Sequence, residues 1–129
     1  MNDAQAPQWV SQQPEAKGEL ELRVGDFFDQ SLGAFDIAYD YTFSCAFEPS
    51  NRPRLAKRFA ELVKPGGHLL ALQFPLEDRT DGLGPPFALS PAQYDAMYGQ
   101  DFDRVPIEVT ASMPQRQGRE KMSVWRRKS

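Results

Sequence analysis

Cysteine and histidine are almost missing from this 129-residue chain: Cys45 and His68 are the sole examples of each. One cysteine forbids an internal disulfide and fits a reducing, cytoplasmic setting. One cysteine and one histidine cannot build a Cys/His zinc site, so no metal is expected. His68 begins a predicted strand, at the end opposite the polar strand exits, which gives a Ser-His-Asp arrangement poor geometry. Cys45 has no histidine near it and reads as a small buried apolar residue rather than a nucleophile. A positive charge excess is missing too: 15 Lys and Arg against 18 Asp and Glu leave a net charge of −3. That argues against nonspecific nucleic-acid binding, which depends on phosphate neutralisation, and the closing Arg126-Arg127-Lys128 is too short to reverse it. No apolar run approaches the roughly 20 residues needed to span a bilayer. No charged n-region with an apolar stretch behind it marks a signal peptide. Neither a P-loop nor a Gly-x-Gly-x-x-Gly fingerprint is present, since Gly66-Gly67 lies between a predicted helix and strand, the wrong context for either.

What remains is a composition, 40% hydrophobic and 26% charged, that can bury one real core. The stretch Phe35 to Phe47 organises it. Phe35 to Tyr39 is a continuous apolar run, the pattern of a strand covered on both faces in a parallel α/β sheet. Asp40 to Phe47 then forms an exit loop with an acid and several aromatics. Ligands of open α/β sheets bind outside the carboxyl ends of strands, which makes Asp40 and Tyr41 the first site candidates.

Met1 to Gly18, rich in Gln, Ala and Pro, can bury little and is expected to be disordered or loosely docked. Residues 19–129 form the domain proper. Leu20, Leu22 and Val24 alternate with Glu21 and Arg23 as in a strand with one wetter face, exiting into Gly25-Asp26-Phe27-Phe28-Asp29. Leu55, Phe59, Leu62 and Val63 fall on one face of a helix, with Arg54, Lys57, Arg58 and Glu61 on the solvated face. Ser50 or Asn51 can cap that helix, Pro53 suits its first turn, and Lys64-Pro65-Gly66-Gly67 stops it. His68 to Phe74 follows as a second buried strand, completing a right-handed parallel βαβ unit. After the Gly/Pro-rich connection Pro75 to Leu89, Ser90-Pro91-Ala92-Gln93 starts a short helix with Ser as N-cap, ending near Gly99. Val105 to Ala111 and Lys121 to Arg127 read as an antiparallel strand pair.

Three strand exits converge on one sheet edge: Asp26-Phe27-Phe28, Asp40-Tyr41 and Gln73-Phe74-Pro75. A carboxylate can accept from a purine's exocyclic amine while an adjacent aromatic covers a ring face. The plainer reading makes the acids loop residues and the phenylalanines core.

These motifs together resemble the thiopurine/thiol/halide S-methyltransferase family of class I S-adenosylmethionine-dependent enzymes. The resemblance lies in Gly25-Asp26-Phe27-Phe28-Asp29, Phe35-Asp36-Ile37 with Tyr39-Asp40-Tyr41-Thr42-Phe43, and Lys64-Pro65-Gly66-Gly67-His68-Leu69. It continues through Gln73-Phe74-Pro75, Gly84-Pro85-Pro86-Phe87 with Ser90, Gly118-Arg119-Glu120-Lys121 and Trp125-Arg126-Arg127. It runs in order from about Glu19 to Lys128, and the Asp-Tyr-Thr-Phe and Gly-Pro-Pro-Phe pieces are its most specific parts. It implies a Rossmann-like α/β methyltransferase sheet, mostly parallel with a C-terminal antiparallel pair, and S-adenosyl-L-methionine as cofactor. The implied reaction is in-line methyl transfer to a small thiol, sulfide or halide. By the same resemblance Asp26 and Phe27 would lie at the adenine, and Asp40 and Tyr41 near the transferred methyl and the acceptor. Pro85, Pro86 and Phe87 would belong to the loop over the acceptor pocket.

The family's Gly-rich loop and ribose-binding acid have no counterpart in Met1 to Gly18. The chain is therefore expected to be a C-terminal portion, inactive alone, lacking the first two strands of the family order 3-2-1-4-5-7-6. The Phe35 to Tyr39 strand would then be an exposed edge that invites self-association. A non-catalytic remnant acting as an interaction module is the second expectation, and a nucleotide-dependent enzyme of another class, such as an oxidoreductase, is the third.

Overall fold

The strand–helix–strand unit read from the sequence is the centre of the computed structural model, which describes residues 18–29, 31–77, 81–107 and 112–129. Strand β1 (Phe35–Asp40) leads through two short 3-10 turns into α1 (Arg52–Leu62), and β2 (Val63–Gln73) returns beside β1. Helix α2 (Pro91–Tyr98), β3 (Phe102–Val105) and β4 (Lys121–Arg127) follow. The sheet order is β1-β2-β4-β3, which reproduces the last four places of the expected order. Among the described residues β1 and β2 pair in parallel, and β4 enters antiparallel to both β2 and β3. The C-terminal antiparallel pair forms as expected, β3 against β4.

Both helices lie on one face. In register, Ala38 pairs with Leu69, Asp40 with Ala71, Leu69 with Trp125 and Ala71 with Ser123. That face meets Leu55 and Phe59 of α1 and Tyr94 and Tyr98 of α2 in a single core. The opposite face carries Phe35, Ile37 and Tyr39, which are 47%, 61% and 61% exposed. The expectation that β1 is covered on both faces is therefore corrected: α1 and α2 cover only one.

The helix boundaries follow local chemistry. In α1, Leu55, Phe59 and Leu62 turn inward, and Asn51 occupies the N-cap position without making a side-chain cap bond. Arg58, expected on the solvated face, is buried. Its Nε donates to the Phe27 carbonyl at 2.8 Å, another of its nitrogens to the Asp29 carbonyl, and Nη1 meets Glu61 Oε2 at 3.1 Å. In α2 the capping box forms as read: the Gln93 amide donates to Ser90 Oγ and the Ser90 amide to Gln93 Oε1.

Lys64 to Gly67 do more than stop α1. They form an irregular entry to β2, with Gly66 at φ +81. A Cβ at Gly67 would stand 2.7 Å from the Asp36 carbonyl oxygen, so the β1–β2 approach here requires glycine. Leu20 to Val24 is not a strand, and its apolar side chains are exposed. No described strand offers it a ladder of backbone partners, and alternation alone cannot form one. The strand expected from Val105 is shifted to Phe102–Val105, anchored by buried Phe102. Residues 108–111 lie outside the described residues, as do residues 1–17, on which the expectation of a loose N-terminal segment falls.

Candidate active site

Asp40 ends β1 on the helix-covered face and is only 1% exposed. Its carboxylate turns onto the loop that follows. Oδ1 accepts from the amides of Phe43 (3.3 Å) and Ser44 (3.1 Å), and Oδ2 accepts from the Ser44 hydroxyl at 2.5 Å. Thr42, between them, has a positive φ of 51. A β-branched residue in that region costs on the order of 1–3 kcal/mol. Hydrogen bonds contribute about 0.5–1.5 kcal/mol net each, so the three that Asp40 accepts are of a size to offset that strain.

The surroundings of Asp40 are buried and polar. Ser44 Oγ lies 3.4 Å from the Tyr98 hydroxyl. Tyr94 brackets the end of β2: its hydroxyl accepts from the Phe74 amide at 3.1 Å and donates to the Phe74 carbonyl at 3.3 Å. Burial raises the Asp40 pKa, with the Ser44 and Phe43 hydrogen bonds pulling it partly back. Burial and the Asp40 charge together push the Cys45 thiol up, which keeps it a poor nucleophile. Tyr94 and Tyr98 are driven well above the usual phenol range, chiefly by burial. Gln73 is fully buried, and among the described residues neither polar atom of its side-chain amide has a hydrogen-bond partner.

Tyr41, next to Asp40, is half exposed. Its ring stacks near Tyr39 at 6.2 Å and lies under the Arg116 guanidinium at 5.7 Å. Arg116 also covers Phe74 at 4.3 Å and meets Glu120 at 3.4 Å. The Gly-Pro-Pro-Phe loop docks on the same edge. The Phe87 amide donates to the Cys45 carbonyl at 2.7 Å, and the Leu89 amide to the Pro75 carbonyl at 3.1 Å. Pro85 and Pro86 precede them, each behind a cis peptide bond. The structure thus brings Asp40, Tyr41, Phe74 and the 85–87 loop to the carboxyl ends of the parallel pair.

Asp26 and Phe27 join this edge through rings. Asp26 is exposed, and its Oδ1 accepts from the Phe28 amide at 2.9 Å. Phe27 is half-buried against Phe43 at 4.8 Å and Phe59 at 5.2 Å. An exposed carboxylate beside a ring fits the amine and face of an adenine, although Phe27 is also a packing residue. His68 pairs with Ile37 and Arg126, at the opposite end of the sheet. Among the described residues no group of three His, Cys, Asp or Glu could hold a metal. A groove between α1 and α2 is lined by Arg52, Ala56, Gln93 and Met97.

Sequence reasoning passed over Arg116, Ser44 and the orphan character of Gln73. For Ser44 a signal existed, since Asp-x-x-x-Ser after a strand is a local side-chain-to-backbone pattern. For Arg116 there was none, because its place depends on how its loop folds back over Phe74.

Comparison with known proteins adds a family. Residues 2–129 match the family described as thiopurine S-methyltransferase. The chain is 38% identical over 107 residues to a probable thiol methyltransferase 2 of Arabidopsis thaliana, covering 81% of this chain and 46% of that protein. It is 36% identical over 116 residues to thiocyanate methyltransferase 1 of Brassica oleracea, covering 88% and 50%. The chain therefore spans about half the length of these curated relatives. In fold it is similar to a SAM-dependent methyltransferase from Methanosarcina mazei, with a TM-score of 0.72 at 14% identity, covering 98% of this chain and 79% of the other.

Proposed function

The chain belongs to the thiopurine S-methyltransferase family, and on that premise we propose that it forms the acceptor side of an S-adenosylmethionine-dependent S-methyltransferase. The acceptor is a small soft nucleophile: a thiol, hydrosulfide, thiocyanate or halide. The observation that carries this reading is the Arg116 guanidinium set over the faces of Tyr41 and Phe74 at the carboxyl ends of β1 and β2. A cation between polarisable aromatic walls suits a polarisable anion, with Glu120 tempering the charge.

S-adenosylmethionine supplies a methyl group on a sulfonium, which is already a good leaving group. The chain's own residues then have little bond chemistry to perform. Their work is to orient the acceptor and exclude water. In this reading Asp26 and Phe27 hold the adenine edge and face. Tyr41 forms the side at which donor and acceptor meet, with Asp40 buried behind it at the end of β1, and Pro85, Pro86 and Phe87 wall the acceptor pocket. Cys45 plays no covalent part, in keeping with its raised pKa.

The test is a chimera in which the N-terminal half of the Arabidopsis relative precedes this chain, supplied with S-adenosylmethionine and hydrosulfide, thiocyanate or iodide. Formation of the methylated product is expected. Tyr41→Phe should lower kcat more than it weakens cofactor binding. A chimera that binds the cofactor but methylates none of these acceptors would overturn the proposal.

A further inference from the structure

We propose that Asp40 is a positioning residue, whose carboxylate holds the left-handed turn at Thr42 and thereby sets the direction of the Tyr41 ring. The link to turnover rests on the acceptor-site reading above, whereas the hold on the turn does not.

Tyr41 stands between two fixed points. Before it, Asp40 is locked in the β1–β2 ladder opposite Ala71. After it, Thr42 sits at φ 51, a region that β-branched residues avoid. Nothing in the local sequence favours that conformation, so something must impose it. The hydrogen bonds that do so reach forward from Asp40: Oδ1 takes the amides of Phe43 and Ser44, and Oδ2 takes the Ser44 hydroxyl. Both oxygens are engaged, and the residue is 1% exposed. Asp40 therefore acts on the site through the loop and not by touching donor or acceptor. The consequence of the turn is the placement of the Tyr41 ring between Tyr39 and Arg116. Were Thr42 to relax to an extended conformation, the backbone after Tyr41 would swing and the ring would leave the guanidinium. Ser44, held by the same carboxylate, also ties the loop to Tyr98 of α2.

The experiment compares Asp40→Ala, Asp40→Asn and the double variant Asp40→Ala/Thr42→Gly, in the 129-residue chain and in the chimera. Amide hydrogen exchange at Phe43 and Ser44 in the chain should quicken by about tenfold or more in Asp40→Ala, because a part-buried and a buried amide lose their acceptor. In the chimera kcat should fall about 10–100-fold, with the cofactor Kd changed far less, as for a misoriented group. Asp40→Asn, which keeps an acceptor for the amides, should recover much of that loss. Thr42→Gly should rescue Asp40→Ala in part, since glycine takes the left-handed turn without strain. Rescue from Thr42 is what neither direct contact nor a general packing role predicts. Folded variants with unchanged exchange, or a loss of kcat that neither Asn nor Thr42→Gly relieves, would overturn the proposal. If Asp40→Ala does not fold, Asp40→Asn with and without Thr42→Gly carries the same comparison. A chimera inactive with Asp40 in place would count against the methyltransferase reading, and exchange in the chain would still decide whether Asp40 holds the turn.

Discussion

At the scale of single residues, the buried carboxylate of Asp40 links stability to pH. Its folded pKa is raised, mainly by burial, so the folded chain holds a proton at pH values where the unfolded chain has released it. The stability contributed is full below the unfolded value of about 3.9 and is lost as pH rises through the folded value. Cys45, Tyr94 and Tyr98, which interact with it, all have raised pKa values and stay neutral across that range. Denaturant unfolding of the chain and of Asp40→Asn, measured from pH 7 down to pH 4, should therefore diverge. The parent should gain stability relative to the variant as the solution is acidified. A difference that stays flat, or runs the other way, would show that Asp40 is not desolvated as described. Asp40 could be picked out from sequence because an acid at a strand exit is a local sign. Its partner Ser44 lies within the same loop and was open to the same local reading, whereas Arg58 and Gln73, elsewhere in the core, acquire their burial from segments that fold onto them.

At the scale of elements, α1 carries more than its share of the core. Phe59 on its inner face meets Phe27 at 5.2 Å, Phe43 at 6.5 Å and Tyr98 at 6.0 Å. One side chain thus joins the 25–29 loop, the 40–47 loop and α2. Phe59→Ala should cost about 3–5 kcal/mol, the usual range for removing a buried phenyl ring. Chemical denaturation measures it, and a loss under about 1 kcal/mol would mean that the three segments do not meet on α1. Both helices were readable because their signals are local: 3.6-residue periodicity in α1 and a capping box in α2. Leu20 to Val24 was misread because alternation records a preference that only a neighbouring strand can satisfy. The start of β3 was displaced for a related reason. Phe102, pairing with Arg127, extends that strand toward α2 beyond the β-branched cluster that suggested it.

At the scale of the whole molecule, the helices load one face of the sheet and leave Phe35, Ile37 and Tyr39 on the other. Among the described residues β1 pairs only with β2, so its outer edge is free. The Lys64–Asp36 ion pair at 3.5 Å joins β2 to β1, and the exposed Asp36 carboxylate puts a charge on the edge strand. An apolar face joined to a free edge favours association, and sedimentation of the 129-residue chain should show species that grow with concentration. Ile37→Lys, which changes an exposed side chain, should shift the distribution toward monomer. A chain that sediments as a monomer throughout would remove this expectation. The order of the last four strands was legible only through the family resemblance, because no local signal says that β4 enters between β2 and β3.

That insertion bears on how the chain is made. Strand β4 is the last of the described strands to be synthesised, yet it occupies an interior place in the sheet. Ser123 Oγ must find the Ala71 carbonyl across 52 positions of sequence, and Trp125 then donates its indole N–H to the same hydroxyl. Until Lys121–Arg127 arrives, β2 lacks one neighbour and β3 lacks its partner among the described strands. A nascent chain can therefore form the β1–α1–β2 unit early. Closure of the sheet waits for the last of the described strands, and is set by long-range loop closure rather than by local propensity.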